Sequence, residues 1–285
     1  MSGLPVFINS RDRLTPLAEL VSWLECAGVD EIYIIDNDST YPPLLEYYEQ
    51  TPHRVVKLGR NVGKNALWDA DGLFDLTHGR AFAYTDSDIV PDPACPLDAL
   101  ELFLSILGRY RDGPLGIHKV GFGIRFDDIP DHYKHKTEAV TWERGQYALP
   151  LEKNLFYATI DTQFAVYRPN SGVRPHHGAR TGWPYVARHH PYYLDLDDLS
   201  DEDAFYARRG EEARAELAHF THWASEALSE AAGFARTAAP PDDPPTLADA
   251  RRSSAPHVTP EQRLRARLYL AAGAASVGDW GLRRF

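Results

Sequence analysis

The first third of the chain alternates short apolar runs with stretches whose apolar residues recur every three or four positions. Short apolar runs between turn residues predict buried strands, and the 3.6-residue period predicts helices. The strands are predicted at 5–8, 31–35, 54–58 and 81–84. The helices between them are predicted at 15–27, with Thr15 as the cap, and at 42–49 and 66–76. Strands that alternate with helices predict an α/β fold with a mostly parallel, Rossmann-like central sheet.

Beyond residue 96 the pattern is less regular. Helices are predicted at 97–110 and 200–235, and strands at 117–124 and 158–167. The stretches 127–153 and 173–191 show no clear period and are predicted to be irregular or loop. The segment 238–260 is dense in Pro, Asp, Ala and Ser, with too few apolar residues to fold alone, and is predicted to be a flexible linker. A last helix is predicted at 261–275.

Composition and charge narrow the classes of protein to be considered. The chain has 285 residues, of which 44% are hydrophobic and 25% charged, as in ordinary globular proteins. Its formal charge of −11 argues against general binding to nucleic acids or anionic membranes. Two cysteines and no CxxC motif predict no disulfide framework. With neither a signal peptide nor a transmembrane segment expected, the prediction is a cytoplasmic protein.

The strand predicted at 81–84 leads into two carboxylates one residue apart, Asp86 and Asp88. The carboxyl ends of strands are where open α/β sheets bind ligands. Carboxylates crowded there repel each other unless a cation lies between them. Mg²⁺ or Mn²⁺ suits such oxygen ligands, with diphosphate oxygens completing the shell. In the alternative interpretation Asp86 caps a turn and Asp88 is solvated.

Three motifs occur in order: Ile-Ile-Asp-Asn-Asp-Ser-Thr at 34–40, Arg-Asn-Val-Gly at 60–63 and Tyr-Thr-Asp-Ser-Asp at 84–88. Together they resemble the nucleotide-sugar half of bacterial, family-two-like glycosyltransferases with the A-type fold. The resemblance is good over 4–95 and looser to about 195. It implies one A-type domain at 1–199, with its nucleotide-sugar half at 1–95 and its acceptor half at 96–199. The remaining divisions expected are a helical extension at 200–237, the linker at 238–260 and a terminal helix or tail at 261–285.

The resemblance also implies roles for particular residues. Those expected to bind the nucleotide sugar are Asn9, Arg11, Asp36, Asn61, Lys64 and Asp86. Those expected to bind Mn²⁺ or Mg²⁺ are Asp86, Asp88 and His189, with His190 as a rival to His189. Arg180 or Arg188 is expected to offset diphosphate charge. The alternatives are that Asp36 only organises a turn and that His189 only stacks on a nearby tyrosine.

Asp161 lies within the apolar run predicted as the strand 158–167. An ionisable group in such a strand is costly unless it has a partner or a task. Inverting sugar transfer needs a carboxylate that takes the proton of the acceptor hydroxyl. Asp161 is therefore the predicted catalytic base. The position of Asp161 is equally consistent with a structural role, in which its side chain hydrogen-bonds neighbouring backbone. A retaining mechanism would need no such base.

The predicted function is that of a metal-dependent glycosyltransferase. Its expected donor is a UDP-sugar, and its expected acceptor is a hydroxyl on a glycan or glycoconjugate. One alternative is a phosphohydrolase of the haloacid dehalogenase type, because the sequence 86–90 fits the Asp-x-Asp-x-Thr/Val pattern. That motif usually lies on the first strand, whereas here two strand–helix units precede it. The other alternative is a non-catalytic module that binds nucleotide sugars or glycans.

Overall fold

The protein is described by a computed structural model that covers residues 3–110, 116–161, 163–172, 176–195 and 197–216. It has an α/β fold whose centre is a mixed sheet of nine strands, and three further strands form a second sheet. Within these covered ranges, no helix is both long and apolar enough to cross a membrane. Both cysteines are free thiols.

The first four strands form the parallel half of the large sheet. These strands are β1 (Val6–Ser10), β2 (Ile32–Asp36), β3 (Arg54–Lys57) and β4 (Phe82–Asp86). The helices between them are α1 (Thr15–Cys26), α2 (Pro42–Gln50) and α3 (Ala66–Asp69). The predicted strands and the first two helices are confirmed. The helix predicted at 66–76 is wrong in extent, because α3 has one turn and a 3₁₀ turn follows at Phe74–Thr77.

Alternating side chains of the parallel half cover both faces of the sheet. Val6 and Ile8 of β1 belong to the core that includes the buried face of α1. Phe7 points to the opposite face, where it stacks on Tyr33 with ring centroids 4.7 Å apart and belongs to the core beneath α3. Parallel sheets need both faces covered, since their strands are apolar on each side.

The remaining elements complete both sheets. The strands are β5 (Ile89–Pro91), β6 (Lys119–Gly121), β7 (Gly123–Ile124), β8 (Pro150–Glu152), β9 (Leu155–Thr159), β10 (Ala165–Tyr167), β11 (His177–Thr181) and β12 (Val186–His189). The helices are α4 (Ala99–Arg109), α5 (Lys136–Gly145), a 3₁₀ turn at His190–Tyr193 and α6 (Asp201–Glu216).

The sheet is mixed, so the mostly parallel arrangement predicted from the sequence is not confirmed. β10 runs antiparallel to both β4 and β6, and β9 runs antiparallel to β11 and β8. The parallel pairs are β1 with β2, β2 with β3, β1 with β4 and β6 with β11. We call β6 and β8–β11 the mixed half of the sheet.

Several predictions for the mixed half are wrong. The single strand predicted at 117–124 is divided between the two sheets, because Gly121 and Gly123 lie where other backbones pass closely. A Cβ on Gly121 would clash with the carbonyl oxygen of Phe164. The strand predicted at 158–167 is two strands, β9 and β10. The stretches predicted to be irregular contain α5, β8, β11 and β12.

The start of α1 also differs from the prediction. Thr15 is the first helical residue rather than the cap, and Leu14 occupies the cap position without a capping side chain of its own. The carboxylate of Glu202, on α6, instead accepts hydrogen bonds from the amides of Leu14 and Thr15. The predicted linker at 238–260, the helix at 261–275 and the end of the helix at 200–235 lie outside the described residues.

Candidate active site

The carboxyl ends of the parallel strands bring four polar residues together. The register sets Asn9 beside Asp86 and Ser10 beside Asp36. The amide of Asn9 donates a hydrogen bond of 3.2 Å to Asp86 Oδ1. Its own Oδ1 is buried without a hydrogen-bond partner. A buried acceptor left unsatisfied costs free energy, so the pair Asn9–Asp86 has the character of a ligand site at the sheet edge.

Asp88 and His189, predicted as metal ligands, are neighbours in the structure. The antiparallel pairing of β5 with β12 sets His189 opposite Ile89, the residue after Asp88. As a result, His189 Nε2 lies 3.8 Å from Asp88 Oδ2. The amide of His190 donates a 2.9 Å hydrogen bond to the backbone carbonyl of Asp88, which fixes the two segments to each other. The pairing of distant strands thus creates the contact.

The surroundings of His189 favour its neutral form. Burial lowers the pKa of His189, and Arg13 and His190 lower it further against the opposing effect of Asp88. A neutral imidazole beside a carboxylate is a competent ligand for a divalent metal. The ring also contacts Tyr192, with centroids 4.5 Å apart, but the contact is edge to face and not the stacking that the alternative interpretation expected.

The three predicted metal ligands do not form one set. Among the residues that the structure describes, no group of three or more His, Cys, Asp or Glu side chains is arranged to hold a metal ion. Asp88 and His189 supply two donors, while Asp86 is engaged with Asn9. A hard cation that keeps several outer ligands, such as waters or phosphate oxygens, is compatible with a site of two protein donors.

Asp36 is buried at the end of β2 and organises the turn that follows. Its Oδ1 accepts hydrogen bonds from the amide of Ser39 at 3.0 Å and from the hydroxyl of Tyr48 at 3.4 Å. Burial raises the pKa of Asp36, while the hydrogen bonds of Ser39 oppose the rise. The turn-forming alternative is therefore present in the structure, and a role in binding a nucleotide stays a prediction.

The loop after β1 places Arg11 next to the buried carboxylate of Asp12. Asp12, at a φ of 50°, is buried and accepts hydrogen bonds from the amides of Thr40 and Tyr41 at 2.6 and 2.9 Å. Arg11 Nε lies 4.0 Å from the Asp12 carboxylate and is buried without a hydrogen-bond partner. An unsatisfied guanidinium nitrogen at the sheet edge suits an anionic ligand.

The predicted residues Asn61 and Lys64 lie in the loop after β3, which a residue missed by sequence reasoning holds in place. Asn61 Oδ1 accepts a hydrogen bond from the amide of Gly63 at 2.9 Å and so shapes the loop itself. Asn37 accepts from the amide of Val62 at 2.8 Å and donates to the carbonyl of Gly63 at 2.9 Å. The signal for Asn37 was its place directly after Asp36 in the polar cluster at the end of β2.

Asp161 lies in the connection between β9 and β10, not within a strand as predicted. Because β10 is antiparallel to β4, the start of β10 lies at the edge where β4 ends. The half-exposed carboxylate of Asp161 accepts hydrogen bonds of 3.0 and 3.2 Å from the ammonium of Lys64. Two residues predicted for separate roles are thus one ion pair that joins the two halves of the sheet. To act as a base, Asp161 must accept the proton while it stays paired with Lys64, or the ion pair must first break.

Both arginines predicted to offset diphosphate charge are paired with carboxylates of the protein itself. Arg180 is buried and hydrogen-bonds Glu143, the carbonyl of Thr159 and Gln163, so its assignment to diphosphate is wrong. Arg188 is partly exposed, but it pairs with Asp92 at 3.1 Å and with Asp128 at 2.7 Å. Sequence reasoning missed Asp92 and Asp128, because they reach Arg188 only through the pairing of β12 with β5 and β7.

Comparison with known proteins assigns no family to the chain. No protein-family model matches the chain, and a search of curated proteins finds no match. The function is therefore argued from the residues of this chain and their arrangement.

Proposed function

We propose that the protein is a metal-dependent glycosyltransferase that passes a sugar from a nucleoside diphosphate sugar, with a UDP-sugar favoured, to a hydroxyl acceptor. The observation that carries the proposal is the 3.8 Å approach of His189 to Asp88 beside the Asn9–Asp86 pair. A neutral imidazole, a carboxylate and buried unsatisfied polar atoms at one sheet edge suit a metal-bound anion. The order of the three motifs along the chain gives further support.

The chain's own residues would divide the work between the two halves of the sheet. Asp88 and His189 would hold the divalent ion, Mn²⁺ or Mg²⁺, which neutralises charge on the departing diphosphate. Arg11 would face the anionic donor. In an inverting transfer, Asp161 would accept the proton of the acceptor hydroxyl, with Lys64 beside it to stabilise the ionised carboxylate. A hydroxyl on a glycan or glycoconjugate is the proposed acceptor, and a cytoplasmic location stays a prediction.

The experiment that tests the proposal is a thermal-shift screen of nucleoside diphosphates and their sugars, with and without Mn²⁺. At 100 times Kd, a ligand that binds only the folded state adds about 2.7 kcal/mol of stability. For a chain of this size, that corresponds to a rise in Tm of roughly 5–10 °C. The rise is expected with Mn²⁺ present, and it is expected to disappear in Asp88→Ala.

The matched control is Asp71→Ala, which removes an exposed carboxylate from a turn outside the site. This variant is expected to keep the Mn²⁺-dependent shift. Unchanged Mn²⁺-dependent affinity in Asp88→Ala would refute the metal assignment. A shift with a simple phosphomonoester, but with no nucleotide, would favour the phosphohydrolase.

A further inference from the structure

The first turn of α6 is docked on the start of α1. Glu202 is buried, and its carboxylate accepts hydrogen bonds of 2.9 and 3.0 Å from the amides of Leu14 and Thr15. Free amides at a helix N-terminus carry partial positive charge, so a carboxylate is favourable there. A segment predicted to be a C-terminal extension therefore caps a helix of the parallel half.

The first two turns of α6 enclose Arg13. The guanidinium carbon lies 4.0 Å above the ring of Tyr206, and Nη1 lies 3.8 Å from Asp203 Oδ1 and 3.4 Å from His190 Nδ1. Arg13 is only 2% exposed. Burying a guanidinium is costly unless it is paired, and stacking on an aromatic face offsets part of that cost. We call Arg13, Asp203 and Tyr206 the Arg13 clamp.

The Arg13 clamp contacts the segment that carries the candidate metal ligands. His190, which Arg13 touches, donates its amide to the backbone carbonyl of Asp88 and directly follows His189. Burial raises the pKa of Tyr206; the charges of Arg13 and Arg11 oppose this rise, whereas those of Asp88 and Asp86 add to it. Tyr206 is therefore within electrostatic reach of both carboxylates at the sheet edge.

We infer that α6 belongs to the proposed donor site: Tyr206 and Asp203 hold Arg13 against His190, and this contact fixes His189 beside Asp88. Arg13, Asp203 and Tyr206 are positioning residues that act through the backbone of His190. The consequence for metal and nucleotide binding rests on the proposed function, whereas the positioning of His190 does not.

The neighbouring residue on α6 provides a matched control. Phe205 packs on Tyr41, at the start of α2, with ring centroids 5.1 Å apart. Phe205→Ala thus removes an aromatic ring from the same turn of α6 without removing a member of the clamp. Tyr206→Phe keeps the aromatic face for Arg13 and removes only the hydroxyl.

The experiment measures the affinity for UDP by calorimetry, with and without Mn²⁺, in these variants. Loss of the stacked ring in Tyr206→Ala is expected to weaken Mn²⁺-dependent binding about 10- to 30-fold. Binding without Mn²⁺ is expected to stay unchanged. Tyr206→Phe and Phe205→Ala are expected to remain within about threefold of the wild type. Adding Tyr206→Ala to Asp88→Ala is expected to cause no further loss, because the clamp acts by holding His189 beside Asp88.

A second readout keeps the inference separate from the proposed function. Amide exchange of His190, measured by NMR, reports its hydrogen bond to Asp88 without any ligand. We expect faster exchange in Tyr206→Ala than in Phe205→Ala. Equal exchange in these two variants, or equal losses of affinity, would overturn the inference. If the wild type shows no Mn²⁺-dependent UDP binding, the proposed donor chemistry fails and the exchange result alone decides the clamp.

Discussion

The parallel half of the large sheet differs from the mixed half in how its strands find their partners. In the parallel half, β1, β2 and β3 are joined in order by single helices, and each pairs with the next. In the mixed half, β10 lies between β4 and β6, and β6 lies between β10 and β11. Local segments therefore build the first half, whereas contacts between distant segments build the second.

Buried charged side chains of the two halves also bond different backbone groups. The parallel half buries carboxylates, Asp12 and Asp36, that accept hydrogen bonds from backbone amides in turns. The mixed half buries the cations Lys119 and Arg180, which donate to the backbone carbonyls of residues 160 and 159. These carbonyls directly precede Asp161. The buried cations of the mixed half therefore hold the backbone that leads into Asp161.

The largest expected effect separates binding from turnover. If Asp161 is the base, Asp161→Asn is expected to lower kcat by about 10²- to 10⁴-fold, because general-base catalysis contributes that much. Affinity for the nucleotide is expected to stay near the wild-type value, since the contacts proposed for the nucleotide, such as those of Asn9 and Arg11, lie in the parallel half. Steady-state turnover and calorimetry check the two parts. Near-normal turnover would leave Asp161 a structural partner of Lys64.

The next effect concerns the buried ion pair of the mixed half. Arg180→Met removes the guanidinium that lies 2.7 Å from the buried carboxylate of Glu143. Leaving one buried charge unpaired costs about 3–5 kcal/mol, which urea unfolding measures. The double variant Arg180→Met/Glu143→Leu is expected to recover much of this loss.

The control for that effect lies in the parallel half. Lys57 and Glu49 form an exposed ion pair at 2.9 Å. Exposed pairs contribute little because solvent screens them, so Lys57→Met is expected to leave the unfolding midpoint unchanged. If Arg180→Met were tolerated as well as Lys57→Met, the contrast in buried charge between the halves would be wrong.

The same contrast explains which parts of the molecule the sequence predicts. Alternating apolar runs predict β1, β2 and β4 because each side chain packs on helices nearby in the chain. No local pattern reports that Gly121 passes against the carbonyl of Phe164, and so the division of β6 from β7 is missed. Similarly, α5 is missed because its mean hydropathy is low and its main burial is through Glu143 and Ala139.

In the candidate site, too, the sequence predicts what depends on local segments and misses what depends on contacts between distant ones. A ligand role for Asp86 is predicted because Asp86 ends a strand with a clear apolar pattern, whereas the role predicted for Asp36 rests on the resemblance to a family. The approach of His189 to Asp88 was proposed only through the resemblance to a family, and its geometry depends on β5 pairing with β12. The Arg13 clamp was not predicted, because it joins residues on α6 to the loop after β1.

The smallest expected effect tests whether Asp36 serves binding at a cost in stability. Burial raises the pKa of Asp36 above its ordinary value of 3.8, so ionisation disfavours the folded state. That penalty is absent below the unfolded pKa and grows as pH rises through the folded pKa. Asp36→Asn keeps an oxygen that accepts from Ser39 and carries no charge. It is therefore expected to be more stable than the wild type at pH 7.5, within the range of about 0.5–2 kcal/mol that single stabilising substitutions commonly reach.

Urea unfolding at pH 7.5 and pH 4.5 measures this difference, with Asp71→Asn as a control for an exposed carboxylate. The advantage of Asp36→Asn is expected to shrink at the lower pH, because the wild-type carboxyl is then more fully protonated. An advantage that grows toward low pH would reverse the sign and show that ionised Asp36 stabilises its turn. With the expected sign, weaker nucleotide binding by this more stable variant would indicate that the buried carboxylate is retained for the ligand.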